Sequence, residues 1–351
     1  LPSYWENRVW VASSMAKVLK PNAIALGNFD GIHRGHLQVL KPILQHCNPP
    51  INVGESLDLG EKKKATNTHA TLVTFNPHPR EFFTGEQIQL LTTLWEKIQQ
   101  LEKLGIQQLV LLPFDRFLAQ LSPEEFVKKI LVEQLEVSLI SVGEDFRFGY
   151  QRSGTAEDLK AIAAQFNVEV FMTSLETSVN SEQNLRISSS AIRTALERGE
   201  VKLANQLLGR AYSLTGTVVE GARLGRTIGF PTANLQLPAD KFLPGLGVYW
   251  VRVTVATQSE DNVSNTVSLS QPTWGVMNIG CRPTVDGKTT TVEVHLLDWS
   301  GNLYGQTITV SLEQFLRSEQ KFSSLEALKA QITQDCDLAR ELIKSQNKAI
   351  E

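Results

Sequence analysis

The stretch GNFDGIHRGH, residues 27–36, sets two histidines around a glycine where a short apolar run hands over to a helix-like segment. Parallel α/β folds hold their ligands at the carboxyl ends of strands. The first turn of a helix exposes free N–H groups and carries partial positive charge, so it favours phosphate. His33 and His36 stand at i and i+3 and share one face of that turn. Two imidazoles there can grip a phosphate whose charge grows during transfer, without either being a nucleophile. Gly31 and Gly35 let the backbone turn sharply and a ligand come close.

A second candidate lies far downstream. GARLGRTIGFPTANL, residues 221–235, carries Gly221, Gly225 and Gly229 at intervals of four, with Arg223 and Arg226 between them. Neither a Walker A loop nor a GxGxxG fingerprint occurs in the chain, so ATP bound here needs another cradle. Glycine-rich backbone can turn its N–H groups to phosphate. Thr232 and Asn234, at i and i+2, point the same way in an extended chain. A hydroxyl and an amide oxygen are suitable hard ligands for Mg²⁺.

Elements of two kinds must position these residues. Over the first half, apolar runs at 69–75, 107–113, 137–143 and 168–172 alternate with helical patterns at 93–104, 123–135 and 156–166. Short, nearly continuous apolar strands between amphipathic helices predict a doubly wound α/β domain with a parallel sheet covered on both faces. Ser122, Pro123 and Glu125 combine a capping box with proline at the first helical position. Residues 187–211 read as two helices closing that domain. From Tyr212 the texture is β, with runs at 212–220, 248–256, 274–279, 290–297 and 306–312. Strands of this length and spacing predict a small, mostly antiparallel barrel, followed by a helix over 324–347. The boundaries are 1–186 for the first domain, 187–211 for the closing helices and 212–351 for the barrel domain. Polar stretches at 48–68 and 257–272 read as loops.

The 351 residues suffice for about two domains. With 34 basic and 37 acidic side chains the net charge is −3, which gives no support for nucleic-acid or membrane binding over a broad surface and leaves room for a small basic phosphate pocket. Three dispersed cysteines without zinc spacing point to a reducing compartment, the cytoplasm, and away from metal held by thiolates. No apolar run nears the roughly 18 residues of a membrane span, and no signal-peptide pattern is visible.

The wording around these sites resembles a known family. GNFDGIHRGH, TFNPHP (74–79), GEDFRFG (143–149) and ISSSAIR (187–193) together resemble the adenylyltransferase half of the bacterial bifunctional riboflavin kinase/FAD synthetases, a branch of the HxGH nucleotidyltransferases. GRTIGFPTAN, NIGCRPTV (278–285), TVEVHLLDW (291–299) and FLRSEQKF (315–322) are similar to that family's kinase half and stand in the same order. The chain departs from the commoner pattern at Ser190, where threonine is usual, at Asn76, where aspartate is more frequent, and at Ile228, where leucine is.

The resemblance implies roles. His33 and His36 would contact the ATP phosphates, and Asn28, Phe29, Asp30 and Gly31 would shape the nucleotide pocket. Asn76, His78 and Pro79 would lie near the FMN phosphate and the nucleotide, with Asp145 and Phe146 facing the flavin nucleotide and ATP from a later strand end. Ser188, Ser189 and Arg193 would clamp pyrophosphate; hydroxyls at a helix start with an arginine one turn on suit that task on physical grounds as well. In the barrel domain, Thr232 and Asn234 would hold Mg-ATP, Gly221, Arg223, Arg226 and Gly229 its phosphates, and Glu293 would be the catalytic base. Arg282 and Arg317 would lie on the flavin side.

The implied enzyme has two sites: ATP and riboflavin give FMN in the barrel, and a second ATP adenylates FMN to FAD in the α/β domain, with Mg²⁺ at both. Its partners are small molecules; oligomeric state is left open. A flavin-binding protein that had lost a chemistry has no need of His33, His36, Thr232, Asn234 and Glu293 together. Another HxGH transferase has no use for GFPTAN.

Overall fold

The computed structural model describes residues 9–48, 68–174, 186–221, 224–255, 272–284 and 287–348. The polar stretches expected at 48–68 and 257–272 fall, but for their end residues, outside the described residues. The chain divides into two compact units, Leu1–Ser188 and Ser189–Glu351.

The first unit is built on a six-stranded parallel sheet in the order β1-β4-β3-β2-β5-β8. Its strands are β1 (Trp10–Ala12), β2 (Asn22–Leu26), β3 (His69–Asn76), β4 (Gln108–Pro113), β5 (Val137–Gly143) and β8 (Glu169–Thr173); β6 (Arg147–Phe148) and β7 (Gly154–Thr155) form a small ladder of their own. Alternate residues of β2 face opposite layers. Ile24 and Leu26 join one apolar cluster, and Ala23 and Ala25 join the other. Helices α1 (Arg34–Cys47) and α3 (Leu94–Lys103) cover the second face through Leu40, Ile43, Ile98 and Leu101. The first face is covered by α4 (Arg116–Gln120), the π-helical continuation Phe126–Gln134 of the short α5 (Pro123–Glu125), and α6 (Ala156–Ala164). The capping box read at Ser122 and Glu125 is formed. The short helix α2 (Pro79–Thr84) follows β3 directly.

At the end of the sheet away from the HxGH turn, three strands carry polar residues that are fully buried: Asn22, Thr71 and Gln108. The Asn22 amide donates to the carbonyls of Leu19 (2.8 Å) and Leu135 (2.7 Å) and accepts from Thr71 Oγ1 (2.7 Å) and Gln108 Nε2 (2.8 Å). Gln108 Oε1 in turn accepts from the Leu19 N–H at 2.8 Å. Neighbouring strands are thus tied at one level by a satisfied network, which fixes their relative register.

The second unit opens with α7 (Ser189–Glu197) and α8 (Val201–Leu208). The sequence sets these helices apart as a closing segment, 187–211; they group with the second unit, where α8 lies on two barrel strands. The Asn205 amide is the physical reason. It donates to the Leu312 carbonyl at 2.8 Å and accepts from the Tyr212 N–H at 2.7 Å, tying α8 to both strands. The strands β9 (Tyr212–Val219), β10 (Ala233–Gln236), β11 (Gly247–Val255), β12 (Thr273–Thr284), β13 (Gly287–Leu296) and β14 (Thr307–Ser318) close an antiparallel barrel in the order β10-β13-β12-β11-β14-β9. Its interior is filled by Val251, Val253, Met277, Ile279, Val294 and Val310, among others. The helix α10 (Leu325–Lys348) covers part of the outside, burying Cys336 and Ala339 against Val248, Trp250 and Val276. The sequence reading does not contain β1, β10 or the four-residue α9 (Leu224–Thr227). Each is too short to show a period.

Candidate active sites

In the first unit β2 ends at Leu26, and the chain turns through Gly27–Ile32 before α1 begins. Phe29, Gly31 and Ile32 take positive φ values of 47°, 90° and 41°. That conformation is strained for an aromatic and more so for a β-branched residue. Burial pins it: Phe29 and Ile32 are almost wholly enclosed in the cluster under α1. Polar contacts pin it further. Thr74 Oγ1 and Lys97 Nζ both donate to the Asn28 carbonyl, at 3.0 and 3.3 Å, and Asp30 Oδ1 accepts from the Thr92 N–H at 3.2 Å.

His33 is the N-cap of α1 and sits just outside the first turn. Its Nδ1 accepts from the His36 N–H at 3.3 Å. With Nδ1 accepting, the proton of the neutral ring lies on Nε2, which is then a donor. The His33 and His36 rings stack at 3.6 Å, 13° from parallel, and Phe29 tilts against His36 at 4.9 Å. A Cβ on Gly35 would lie 3.3 Å from two atoms of the His33 ring. The glycine of HxGH therefore lets the capping imidazole fold over the helix start.

At the end of β3, Asn76 is exposed. His78 caps α2: its Nδ1 accepts from the Arg80 N–H at 3.1 Å, and Glu81 accepts from the His78 N–H at 3.1 Å, with Pro79 at the first helical position. Beside it, Phe82, Phe83 and Phe114 meet edge to face, and Phe83 is 70% exposed. The sequence reading passed over this aromatic surface; its signal is the Phe-Phe pair directly after HPRE. The Asp145 carboxylate pairs with Arg186, a residue outside the candidate set, and Phe146 stacks on Phe148 and packs against the core. Ser188 ends the first unit, while Ser189 and Arg193 belong to α7 in the second, where the Arg193 guanidinium lies 5.5 Å from the centre of the Phe242 ring.

Lys97 is the residue that sequence reading missed most completely. It reads as one charge on an amphipathic helix, yet it is 8% exposed. Burial pushes its ammonium below the ordinary lysine range, and the nearby Asp30 charge opposes that shift.

The second site is assembled on the outside of the barrel. Ala233, Leu235, Val292 and Val294 face inward, so Asn234 and Glu293 face outward. Asn234 pairs in register with Glu293, and Glu293 with Asn278 on its other side. Three adjacent strands thus carry Asn234, Glu293 and Asn278 in one row. Thr232 Oγ1 donates to Glu293 Oε2 at 3.3 Å. His295 donates from Nδ1 to the Pro231 carbonyl at 2.9 Å and meets Phe230 edge-on at 5.4 Å, which fixes the strand entry carrying Thr232. A Cβ on Gly221 would lie 2.3 Å from the Asn234 amide, so only glycine lets that side chain rest against the loop. A cavity of about 300 Å³, the lower end of the usual ligand-pocket range, opens beside Thr232 between Arg226, Trp299, Asn302 and Tyr304. The residues after β13 that wall it were not among the sequence candidates.

Gly229 has φ 90° and stands at the end of this loop. Arg223 and the side chain of Arg282 lie outside the described residues. Arg317, expected beside the flavin, has its guanidinium engaged: Nε and Nη2 donate to the buried Asp335 carboxylate at 2.9 and 2.8 Å, and Nη1 donates to the Ser318 carbonyl at 3.1 Å. This clamp holds α10 to β14. Among the described residues no cluster of three or more His, Cys, Asp or Glu side chains could hold a metal by itself. Thr232 and Asn234 offer oxygen donors beside the Glu293 carboxylate, a set that suits Mg²⁺ arriving with nucleotide phosphates.

Comparison with known proteins agrees with this division. The FAD synthetase family matches residues 15–191 and the riboflavin kinase family matches residues 208–343. Proteins named bifunctional riboflavin kinase/FMN adenylyltransferase are similar over nearly the full length. The one from Escherichia coli K12 is 38% identical, covering 91% of each chain. The one from Haemophilus influenzae is 36% identical over 94% of this chain and 96% of its own. The one from Bacillus subtilis is 35% identical over 90% of each. A crystal structure described as a macrolide-efflux protein from Streptococcus pneumoniae is similar with a TM-score of 0.76 and 28% identity, covering 95% of this chain and 98% of that one. Among the described residues of the present chain no helix is long and apolar enough to cross a membrane. Three of the four adenylyltransferase motifs on one compact unit with the fourth running across its boundary, kinase motifs on the other unit, and relatives similar over nearly the full length lead to one assignment: the chain belongs to the bifunctional riboflavin kinase/FMN adenylyltransferase family.

Proposed function

We propose that the two activities of the family are run by two residue groups, one centred on His33 and His36 in the first unit and one on Thr232, Asn234 and Glu293 in the second. The observation that carries this reading is their separation: the His33–His36 stack belongs to the first unit, and the Thr232–Glu293 contact to the second. In the barrel, the primary ribityl hydroxyl of riboflavin attacks the γ-phosphorus of ATP. The new bond is O–Pγ, the Pγ–O bridge to the β-phosphate breaks, and ADP leaves. A primary alcohol is a poor nucleophile, and Glu293 takes its proton. Thr232 and Asn234 would hold Mg²⁺, which would neutralise charge on the phosphates. Arg226 faces the same cavity and adds positive charge to it.

In the first unit, a phosphate oxygen of FMN attacks the α-phosphorus of a second ATP. The Pα–O bridge to the β-phosphate breaks and pyrophosphate leaves, so FAD forms without a covalent enzyme intermediate. His33 and His36 stabilise the charge that builds on the phosphates at the start of α1. The edge-to-face phenylalanines beside His78 offer an apolar surface for the flavin ring. Three free thiols, Cys47, Cys281 and Cys336, suit the reducing cytoplasm in which we place the enzyme.

The test is to incubate the protein with riboflavin, ATP and Mg²⁺ and to separate the flavins by chromatography. FMN should appear first and FAD after it. Accumulation of neither would sink the reading, and FMN alone would leave only the kinase half of it.

A further inference from the structure

Lys97 is a buried cation outside the residues assigned to either reaction. Lysine is almost never enclosed unless it is paired. An apolar side chain of the same length would fill the space at no electrostatic cost, and replacing buried charge in this way is often neutral or stabilising. The position therefore calls for a reason beyond packing, and the surrounding contacts supply one.

The Nζ of Lys97 lies 3.3 Å from the Asn28 carbonyl, which also accepts from Thr74 Oγ1 at 3.0 Å. Two donors converge on this one oxygen, on the residue before the strained run. Phe29, Gly31 and Ile32 follow with positive φ, and such a backbone holds only where its surroundings over-determine it. The Asp30 charge stands close enough to favour the ammonium, and its Oδ1 accepts from the Thr92 N–H just before α3. The helix that carries Lys97 is thus docked on the same loop through Asp30. His33, the cap of α1, comes next in the chain.

We infer that Lys97 is a positioning residue for adenylyl transfer: it holds the Asn28–Asp30 turn so that His33 and His36 meet the nucleotide phosphates in a fixed place. The inference rests on the assignment of adenylyl transfer to the His33–His36 site. A displacement of this turn should act mainly on the transition state, because small errors in placing charge-stabilising groups cost rate more than ground-state binding.

The test uses the full-length protein and follows both reactions separately. Lys97→Met keeps length and volume and removes the charge. The expected result is a fall in kcat for FMN-to-FAD conversion of about 10- to 100-fold, a KM for ATP changed less than about threefold, and riboflavin phosphorylation within about twofold of wild type. A kcat for FAD formation within twofold of wild type overturns the proposal, as does a loss that falls wholly on KM. His36→Ala is assayed in parallel. If His36→Ala makes FAD at the wild-type rate, the site itself is misassigned; if it is inactive while Lys97→Met is fully active, only the role of Lys97 fails. Should Lys97→Met lose the near-ultraviolet circular dichroism of a folded protein, Lys97→Arg decides. A folded Lys97→Arg with lowered kcat and near-normal KM supports positioning. Wild-type kinetics in that variant, or its failure to fold, overturns it.

Discussion

Thr232 Oγ1 lies 3.3 Å from Glu293 Oε2, although the two residues are 61 positions apart in sequence. The hydroxyl proposed to meet Mg²⁺ and the carboxylate proposed to take the ribityl proton share one hydrogen bond. Glu293→Gln keeps the shape and loses the base. FMN formation should fall by about 10²- to 10⁴-fold, the usual worth of a positioned general base, while conversion of added FMN to FAD continues. Retention of riboflavin phosphorylation in Glu293→Gln would remove Glu293 from its role.

His36→Ala should have the opposite signature. It removes the outer ring of the stack on His33 and one phosphate ligand at the start of α1. FAD formation should drop by about 10²-fold or more, the scale of one lost charge-stabilising donor. Riboflavin phosphorylation should be unchanged. Loss of both reactions in a folded His36→Ala protein would be incompatible with two separate sites.

His295 makes no contact that chemistry requires of it, yet it holds the Pro231 carbonyl at 2.9 Å. His295→Ala should let Thr232 shift. The kinase kcat should decline about 10- to 100-fold, with adenylyl transfer intact. Steady-state kinetics that match wild type would show that the Pro231–Thr232 entry is fixed by other contacts.

Asn22→Leu tests the polar hub of the parallel sheet. The substitution fills the space but leaves Thr71 Oγ1, Gln108 Nε2 and the buried Leu135 carbonyl each short of one partner. The first unit should lose about 3 kcal/mol. Urea should abolish adenylyl transfer at a lower midpoint, and the kinase midpoint should stay where it was. An unmoved midpoint for adenylyl transfer would mean that the network contributes no net stability.

Burial pushes the Cys336 thiol up from 9.0 to about 11. A group that holds its proton more tightly in the folded protein than in the unfolded chain stabilises the fold at low pH. That contribution is complete below pH 9 and is lost as pH rises toward about 11. Denaturation of wild type and Cys336→Ala from pH 8 to 11 should show the barrel unit of the variant losing less stability over the interval. Parallel curves would contradict this.

Much of this architecture is legible in local pattern. The alternation of apolar strands and amphipathic helices gives the parallel sheet, because a strand buried on both faces is apolar over nearly all of its length. The capping box at Ser122 and the His33 cap of α1 are short-range features whose partners lie within a few residues. Strand ends were less legible. β12 and β14 extend beyond the apolar runs at 274–279 and 306–312, because their later residues pair across the sheet without having to be apolar.

The sequence by itself determined the motif order, the two fold types and the residue kinds at each site, since these depend on neighbours along the chain. Only the tertiary structure decided which distant residues meet. Asn234, Glu293 and Asn278 form a row because β13 lies between β10 and β12, and no local period encodes strand neighbourhood. Arg317 stands in a motif whose resemblance sets it on the flavin side, and only the fold shows that Asp335 engages its guanidinium. Lys97 looks like a solvated charge on a helix until α3 is laid against the sheet and brings its ammonium under the Asn28 carbonyl. Burial and charge pairing depend on how elements pack, and that is settled only when the chain has closed its long-range contacts.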